Sequence, residues 1–418
     1  MWYVFTFQQR QYAGGFLLVL YVNINVHHSP VSFSFCNMAV YGFKINRLIM
    51  GYTGGSCLLS DDTQFPSLLY FYGMSTVAIA PLAESLPAFL NAHDFSAIAV
   101  IADNHTARFC YPDLKPLLPK HTLVRIKAGE EQKHIATCEL IWDAFTRAGF
   151  DRHALVLNLG GGVIGDMGGF CAATYKRGIA FAQLPTTLLA QVDASVGGKL
   201  GIDFNGLKNH IGVFQQPNAV FIDPSFLSTL PERELRSGFA EIIKHCLIAD
   251  AALWNTIRVR DLDEQDWPAL VAHSVAVKQR VVAQDPTEKG LRKILNFGHT
   301  LGHAVETYFI NMPRKRLLHG EAIAVGMVAE AFMAFQKNMI DQTLLTQIED
   351  YLFSVYGNAR LSETDIEPIL KLTKQDKKNR DNQVMMSLLD GPGSCTFDVP
   401  VTMAEMRRGL LFYSGLAN

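Results

Sequence analysis

The sequence predicts an α/β, Rossmann-like N-terminal domain with a parallel sheet, followed by an all-α C-terminal domain. In the first half, short apolar runs alternate with segments of helical spacing, a pattern typical of βαβ units. Six glycines fall within residues 160–169, directly after one of these runs. From Pro231 to about Ala404, apolar residues recur mostly at three- and four-residue intervals, which favours helices.

The composition excludes several classes of protein. The 418 residues include 37 Lys and Arg against 39 Asp and Glu, and 49% are hydrophobic. Such a chain can bury a core, which excludes wholesale disorder, and it has no basic excess for binding nucleic acid. Its seven cysteines include no Cys-x-x-Cys pair, so neither a disulfide framework nor a thiolate zinc site is predicted. No apolar stretch reaches the ~18 residues of a membrane span, and we expect a cytoplasmic protein of two or three domains.

Residues 1–73 differ in composition from the rest of the chain. They contain no Glu and only five charged residues, namely Arg10, Lys44, Arg47, Asp61 and Asp62. Residues 16–22 resemble the apolar part of a signal peptide, but no small-x-small cleavage site follows promptly. A secretory leader stays open as an alternative. We favour a non-native, poorly ordered extension, with the functional chain beginning near Met74 and unaffected by its removal.

The remaining chain divides near residue 231. Four short apolar runs are predicted as buried strands, at residues 96–102, 154–159, 180–184 and 219–222. Residues 131–148 have helical spacing. Thr229-Leu-Pro-Glu232 has the spacing of a capping box with proline in the first turn, so a helix is predicted to begin there. We expect domains over 74–231 and 232–418, with the functional site in the cleft between them.

The glycine cluster suggests a dinucleotide site. Gly160-Gly-Gly-Val-Ile-Gly165 follows a predicted strand and precedes a helix, where backbone N–H groups can approach a pyrophosphate. An acid for the ribose is missing ~20 residues later, so Asp103, at the end of an earlier strand, is the expected partner. Thr186 and Thr187 offer hydroxyls for the nicotinamide half. A tight packing turn without a ligand stays open as the alternative.

Histidines and a carboxylate suggest a metal site. His299 and His303 lie four residues apart on one predicted helical face, and His319 opens another helical run. Glu241 lies in an apolar stretch, where an unpaired carboxylate is costly. Because zinc accepts two imidazoles and one carboxylate, Glu241, His299 and His319 could supply the ligands and His303 could transfer protons. Spacing alone leaves a Glu–Lys surface pair with capping histidines equally open.

Basic residues fall in or next to these motifs, although each alone is typical of a solvated surface. They are Arg177, Lys199, Lys208, Lys244, Lys278 and Arg292. Lys199 follows two glycines, and a lysine in such a setting suits the capture of phosphate or carboxylate. A substrate that carries both anions would use several of these cations.

From about residue 74 onward, the chain resembles the 3-dehydroquinate synthases, which are members of the sugar-phosphate cyclases. The matching stretches are GGGVIGDMGGF (160–170), QLPTTLLAQVDASVGGKLGID (183–203), KNHIGVFQQP (208–217), TLPERELRSGFAEIIKH (229–245), LNFGHTLGHAVE (295–306), HGEAIAVGM (319–327) and QDKKN (375–379). These stretches run through both predicted domains. The resemblance implies the dehydroquinate synthase-like fold, with an NAD-binding domain and a helical metal- and substrate-binding domain.

The resemblance also implies a reaction on 3-deoxy-D-arabino-heptulosonate 7-phosphate. In this family NAD oxidises the C5 alcohol, phosphate is eliminated, and the ketone is reduced again before the ring opens. An intramolecular aldol step then closes the carbocycle of 3-dehydroquinate, in the shikimate pathway to aromatic amino acids. A zinc or cobalt ion on the vicinal hydroxyls would acidify one of them and polarise the ketone.

Residue roles follow from the matching positions. The implied metal ligands are Glu241, His299 and His319. The implied cofactor residues are Glu130, Lys133, Gly162, Val163, Ile164, Gly165, Asp166, Thr186, Thr187, Lys199, Lys208, Phe226, Leu227, Ser228 and Thr229, to which the residue pattern discussed above adds Asp103 and Gly161. The implied substrate or proton-transfer residues are Asp193, Lys199, Lys208, Asn209, Lys244, Lys278, Arg292, Asn296, His303 and Lys377. Arg177 matches an arginine that reaches the phosphate across a dimer interface, so a homodimer is expected.

The chain departs from the family pattern at a few positions, and two alternative activities stay open. Leu200 and Asp203 stand where the family often has Thr and Asn, and His105 replaces a common Asn near the ribose. One alternative is another sugar-phosphate cyclase, but the carboxylate-binding set of Arg292, Asn296 and Lys377 argues for dehydroquinate synthase. The other is a metal-dependent polyol dehydrogenase, which would release NADH.

Overall fold

The computed structural model describes side chains over residues 77–205, 207–310, 312, 314–359, 361–373 and 383–415. The chain divides into two compact units, Met1–Ser67 and Leu68–Asn418. The strands assigned in the first unit are β1 (Phe5–Tyr12), β2 (Gly15–Val22), β3 (Ser32–Phe35), β4 (Met38–Val40), β5 (Phe43–Ile45), β6 (Leu48–Thr53) and β7 (Ser56–Ser60). The predicted non-native extension, residues 1–73, lies outside the residues whose side chains are described, and it stays a prediction.

The second unit begins with a parallel sheet. Its strands are β8 (Leu68–Tyr72), β9 (Ser75–Ile79), β10 (Ile98–Asp103), β11 (Thr122–Ile126), β12 (Leu155–Gly160), β13 (Ala180–Pro185) and β16 (Ala219–Ile222). Between β13 and β16 the chain inserts a separate antiparallel hairpin of β14 (Lys199–Phe204) and β15 (Leu207–Phe214). The sheet order is β11-β10-β12-β13-β16-β9-β8, in which only β8 runs antiparallel to its neighbour. Strands β10, β12, β13 and β16 confirm the four predicted strands to within two residues.

Helices cover both faces of the sheet, as a parallel sheet of apolar strands requires. They are α1 (Leu82–Asn91), α2 (Thr106–Phe109), α3 (Tyr111–Leu114), α4 (Ile135–Arg147) and α5 (Gly162–Thr174). Phe145 of α4 and Met167 of α5 belong to the core on one face, and Leu86 and Leu114 belong to the core on the other. Every residue of the central strand β12 is buried. The cover on both faces therefore leaves the ends of the strands as the accessible part of the sheet.

The rest of the unit is mainly helical, as predicted. Its helices are α6 (Glu232–Ala249), α7 (Ala251–Ile257), α8 (Trp267–Gln284), α9 (His299–Phe309), α10 (His319–Gln336), α11 (Gln342–Tyr356), α12 (Glu363–Thr373) and α13 (Met403–Tyr413). Helix α10 is almost entirely buried and packs against α6, α9, α11 and α13. It therefore forms the centre of the helical region. In the described part of the chain, no helix has the length and apolar character needed to cross a membrane.

Two local features differ from the sequence predictions. Thr229 does not cap α6, because it ends a short 3₁₀ helix (Pro224–Thr229) and its hydroxyl donates to the carbonyl of Phe226. Pro231 is the N-cap instead. The helical region also contains β17 (Asn379–Arg380), β18 (Gln383–Gly391) and β19 (Ser394–Val401). A Gly391-Pro-Gly393 turn joins β18, which is mostly buried, to β19, which is mostly half-buried or exposed, and the two pair antiparallel.

Helix α13 begins at a capping box that we expect to make stability depend on pH. Glu405 accepts hydrogen bonds from the backbone N–H of Thr402 and from Lys337, at 2.7 and 2.6 Å. Burial opposes its charge, but Lys337 and Thr402 outweigh burial and lower the pKa of Glu405 to about 2. Because the folded pKa lies below the ordinary value of 4.5, this stabilisation is present above about pH 4.5 and is lost as the pH falls towards 2.

The prediction is tested with Glu405→Gln, which removes the titrating group. Urea unfolding of the wild type and this variant at neutral pH and near pH 3 measures the free energy of unfolding. We expect the difference between the two proteins to shrink at the lower pH. A difference that stays constant or grows would contradict the assigned pKa direction.

Candidate active site

A cleft of about 1110 Å³ lies between the carboxyl ends of the sheet strands and the helical region. Ligands of open parallel sheets bind at this edge. Most of the predicted site residues line the cleft, namely Asp103, Glu130, Lys133, Gly161, Gly162, Val163, Ile164, Asp166, Thr186, Thr187, Asp193, Lys199, Lys208, Asn209, Phe226, Thr229, Lys244, Lys278, Arg292, Asn296, His299, His303 and His319. The structure thus brings both predicted halves of the site to one cavity.

Some predicted residues lie elsewhere. Gly165 packs inside the first turn of α5, where its carbonyl accepts a hydrogen bond from Gln183. Leu227 belongs to the hydrophobic core, and the Ser228 hydroxyl donates to the carbonyl of Ser225. Arg177 is exposed and does not line the cleft of its own chain. Lys377 lies outside the described residues.

The glycine cluster serves two structural purposes. Strand β12 ends at Gly160 and α5 begins at Gly162, with Gly161 as an N-cap that contributes no side-chain hydrogen bond. Gly161 and Gly162 line the cleft, so the positive end of α5 faces the cavity, where it favours an anion. At Gly168, in contrast, a Cβ would lie 2.2 Å from the Asn158 side chain. The first glycines therefore leave an open cradle at the N-terminus of α5, and the later ones allow α5 to pack closely on the sheet.

A buried lysine links helix α5 to the β14–β15 hairpin. Lys133 Nζ donates to Asp166 on α5 and to the side-chain oxygen of Asn209 on β15, at 2.6 Å each. Burial opposes its positive charge, but Asp166 and Glu130 outweigh burial and raise the pKa of Lys133 above its usual value. Lys133 thus stays charged and fixes β15 beside the cradle.

Glu241 is fully buried and does not itself line the cleft, but it contacts His299 and His319, which do. Its Oε1 is 3.3 Å from His299 Nε2 and 3.5 Å from His319 Nε2. Its Oε2 accepts a hydrogen bond from Lys244. Burial raises the pKa of Glu241, but Lys244 and His299 outweigh that effect and hold the pKa well below its usual range. The group is therefore a carboxylate, whose one oxygen points between two imidazoles.

Hydrogen bonds orient both imidazoles as ligands. His299 Nδ1 donates to the carbonyl of Phe297 at 3.0 Å, and His319 Nδ1 donates to Glu306 at 3.2 Å. Carbonyl and carboxylate oxygens only accept, so each ring carries a proton on Nδ1 and directs Nε2 at Glu241 Oε1. Burial lowers the pKa of His319, but Glu241 and Glu306 outweigh burial and raise it to about 10, so a bound cation would replace its Nε2 proton. Carboxylate–histidine pairs of this kind accompany protein metal sites.

These residues fit a divalent cation. By hydrogen-bond geometry, Glu241 Oε1 has no partner among the residues that the structure describes, although leaving a buried carboxylate oxygen unpaired is costly. One carboxylate and two imidazoles are a ligand set of catalytic zinc, which leaves a coordination position for substrate. His303 contributes a third imidazole nearby, since its ligand atom lies within 4.8 Å of those of His299 and His319.

A second cluster is less suited to a cation. Ligand atoms of Asp193, Glu241 and His245 also lie within 4.8 Å of one another. However, the ammonium of Lys278 donates to Asp193 at 2.6 Å, and Lys244 pairs with Glu241. Burial raises the pKa of Asp193, but Lys278 outweighs it and the net shift is downward. The cluster is therefore an ion-pair network beneath the cleft.

The sequence reasoning missed three cleft acids, Glu234, Glu288 and Glu306, of which the last two bind predicted site residues. Glu306 accepts from Lys208 at 2.7 Å as well as from His319, and it thereby links β15 to the metal site. Glu288 pairs with Lys199 and accepts from Asn296 at 2.7 Å. Glu306 lies three residues after His303 on the same helix, so helical spacing could have found it. Glu288 lies in a loop, where no periodicity marks it.

Comparison with known proteins identifies the family. The profile described as 3-dehydroquinate synthase N-terminal matches residues 123–237, and the profile described as 3-dehydroquinate synthase C-terminal matches residues 238–379. The chain belongs to the 3-dehydroquinate synthase family. The 3-dehydroquinate synthase of Parabacteroides distasonis is 39% identical over 338 residues, which cover 79% of this chain and 95% of the relative. That of Ruminiclostridium cellulolyticum is 43% identical over 274 residues, which cover 64% of this chain and 74% of the relative.

Solved structures share the architecture expected of 3-dehydroquinate synthases. The 2-epi-5-epi-valiolone synthase of Streptomyces hygroscopicus, with NAD⁺ and Zn²⁺ bound, is 27% identical with a TM-score of 0.73, and the match covers 84% of this chain and 99% of that one. A 2-deoxy-scyllo-inosose synthase complexed with carbaglucose-6-phosphate, NAD⁺ and Co²⁺ is 24% identical with a TM-score of 0.72, covering 82% and 99%. A probable glycerol dehydrogenase from Sinorhizobium meliloti is 14% identical with a TM-score of 0.52, and the match covers 81% of this chain and 96% of that one. The last two likenesses show the fold alone.

Proposed function

We propose that the cleft catalyses the 3-dehydroquinate synthase reaction with NAD and a divalent cation. Its substrate is 3-deoxy-D-arabino-heptulosonate 7-phosphate, and its products are 3-dehydroquinate and phosphate. The observation that carries the proposal is the convergence of Glu241, His299 and His319, because both imidazoles line a cleft that also receives the N-terminus of α5. Membership of the family supports this choice of reaction.

The metal side of the cleft prepares the alcohol for oxidation. A divalent cation held by Glu241, His299 and His319 supplies Lewis acidity at the vicinal hydroxyls of the sugar. Lys244 keeps Glu241 ionised, and Glu306 fixes the orientation of the His319 ring. These contacts hold the donor atoms in place before the substrate arrives, which lowers the cost of assembling the site.

The sheet side of the cleft binds the dinucleotide. The N-terminus of α5 at Gly161 and Gly162 faces the pyrophosphate, and Asp103 accepts from the ribose. Asp103 is already oriented, because its carboxylate accepts from the backbone N–H groups of His105 and Thr106 at 2.8 and 2.9 Å. Thr186 and Thr187 line the cavity beside the cradle and contact the nicotinamide half.

Cations and an imidazole complete the substrate site. Lys199, Lys208 and Arg292 line the cavity, where they neutralise the phosphate and the carboxylate of the substrate. Arg292 is buried, and its guanidinium donates to the carbonyl of Pro286 at 2.7 Å, so its remaining donors have a fixed direction. His303 is exposed in the cleft, with its ring centroid 5.1 Å from that of His299 and 5.7 Å from that of His319. Its imidazole is therefore placed to exchange protons with a substrate bound at the metal ligands.

An assay of phosphate release tests the proposed function. We expect phosphate and 3-dehydroquinate to form in equal amounts without accumulation of NADH, because each oxidation is followed by a reduction in the same cycle. A strong chelator should stop both products, and added zinc or cobalt should restore them. Steady NADH formation without phosphate would contradict the proposal and favour a polyol dehydrogenase.

We also propose that the enzyme acts as a cytoplasmic homodimer in which Arg177 serves the partner's site. Several exposed apolar side chains of the described residues lie on the β14–β15 hairpin, namely Phe204, Leu207, Ile211 and Phe214. Such exposed apolar surface favours association. Lys176 and Arg177 adopt left-handed backbone conformations, which are strained for such residues and typical of functional sites. The turn lies beside Gln215, at the end of β15.

Subunit complementation tests this arrangement. Arg177→Ala and His319→Ala should each be nearly inactive alone. After the two variants are mixed and allowed to exchange subunits, each mixed dimer contains one site with an intact metal set and the partner's Arg177. We expect about a quarter of the wild-type activity to return. If no activity returns although mixed dimers form, Arg177 acts within its own chain, and full activity of Arg177→Ala alone would mean that it has no role.

A further inference from the structure

The two helices that carry the imidazole ligands begin at those ligands. Helix α9 begins at His299 and α10 begins at His319. The residue before His299 is Gly298, which adopts a left-handed conformation with φ of 79°. Glycine has no side chain, so it cannot cap the free N–H groups of the first turn of α9.

A carboxylate from α10 caps α9 instead. Glu330 Oε2 accepts from the Gly298 N–H at 2.6 Å, and its Oε1 accepts from the Leu301 N–H at 3.1 Å. Glu330 is fully buried and lies about three turns after His319 on the same helix. Both carboxylate oxygens therefore bind the backbone on either side of His299, in a setting that excludes water.

The close crossing of the two helices makes this contact possible. A Cβ on Gly326 of α10 would lie only 1.9 Å from the carbonyl oxygen of Gly298. A Cβ on Gly302 of α9 would lie 2.7 Å from the Ile323 side chain. Because glycines stand at the contact, the backbones approach closely enough for the Glu330 side chain to span the gap.

We propose that Glu330 is a positioning residue of the metal site. By binding the Gly298 and Leu301 N–H groups, it holds the first turn of α9 against α10, so that His299 Nε2 stays directed at Glu241 Oε1. Its negative charge also matches the positive end of α9. One helix thus supplies His319 and fixes the direction of His299, which couples the two imidazoles mechanically. This role rests on the proposed metal site and extends it to a residue that touches neither metal nor substrate.

Metal binding distinguishes a positioning role of Glu330 from a purely structural one. Glu330→Gln keeps the size of the side chain but places an NH₂ group against one of the two backbone donors, so one hydrogen bond is lost. We expect zinc affinity to fall about tenfold or more, the range seen when the support of a metal ligand is removed. We also expect the visible absorption spectrum of the cobalt-loaded protein to change, because the spectrum reports ligand geometry.

Glu405→Gln is the matched control, since Glu405 also caps a helix N-terminus but lies in α13, outside the cleft lining. It should lower stability while leaving zinc affinity and the cobalt spectrum unchanged. Zinc affinity is measured by competition with a chromophoric chelator, on protein whose folded fraction is known from circular dichroism. If the wild type itself bound no metal, the proposed function would fail first, independently of Glu330.

Two results would overturn the role of Glu330. One is a folded Glu330→Gln variant with wild-type zinc affinity and an unchanged cobalt spectrum. The other is a folded Glu330→Asp variant with wild-type zinc affinity. Aspartate keeps the charge but is one methylene too short to reach both N–H groups, so we expect this variant to bind zinc more weakly. If neither variant folds, Glu330 serves the helical core in general and the proposed positioning role is rejected.

Discussion

Replacing His319 by alanine is expected to remove the metal and to lower turnover by about a thousandfold or more, with little change in fold. The substitution deletes one of the two imidazole nitrogens that approach Glu241 Oε1. His319 is only partly buried at the cleft wall, so its loss leaves the hydrophobic core intact. The two remaining ligands, Glu241 and His299, hold a cation too weakly to keep it through purification.

Metal content, phosphate release and circular dichroism measure the three parts of this prediction. His273→Ala is a suitable control, because His273 also pairs with a carboxylate, Asp250, at 3.0 Å but does not line the cleft. The control should retain metal and turnover. Full activity of His319→Ala would remove this residue from the ligand set.

Replacing Lys278 by methionine is expected to reduce both turnover and stability. Lys278 is buried and donates to the carboxylate of Asp193 at 2.6 Å. Without the ammonium, the partly exposed carboxylate of Asp193 loses its paired cation, which costs about 1 kcal/mol of unfolding free energy. Turnover should fall by about a hundredfold or more, because a cleft cation beside the metal site is lost.

A double variant separates the two effects. In Asp193→Asn with Lys278→Met, no unpaired charge remains, so most of the lost stability should return. Turnover should stay low, because the cation is still absent. Urea unfolding and the phosphate assay measure the two quantities. If the double variant regains turnover together with stability, Lys278 has only a structural role.

The sequence revealed the parallel strands because their apolar character is local. Strand β12, for example, is buried along its whole length and reads as a continuous apolar run. Strand β15 was not predicted, since nearly all of its residues are exposed or half-exposed and no core face imposes an alternation. Its pairing with β14 alone makes it a strand. Helix α6 begins close to the predicted position, but its N-cap is Pro231 and not the predicted Thr229, because Thr229 belongs to the preceding 3₁₀ helix.

The site was predictable to a different degree. Spacing suggested the histidine pair, and the ligand preference of zinc suggested joining Glu241 to His299 and His319, but a surface pair with capping histidines stayed equally open. The resemblance to a family favoured the metal set, and the structure brings Glu241 Oε1 to within 3.5 Å of both Nε2 atoms. Glu330 could not be found in advance, because its role depends on how closely α9 and α10 cross.

Anomalous X-ray diffraction from crystals of the zinc- or cobalt-loaded protein tests the central proposal most directly. We expect one strong anomalous peak about 2.0–2.2 Å from Glu241 Oε1, His299 Nε2 and His319 Nε2. A peak bound by a different set, such as Asp193 and His245, or no peak in the cleft of fully loaded protein, would contradict the proposed metal site.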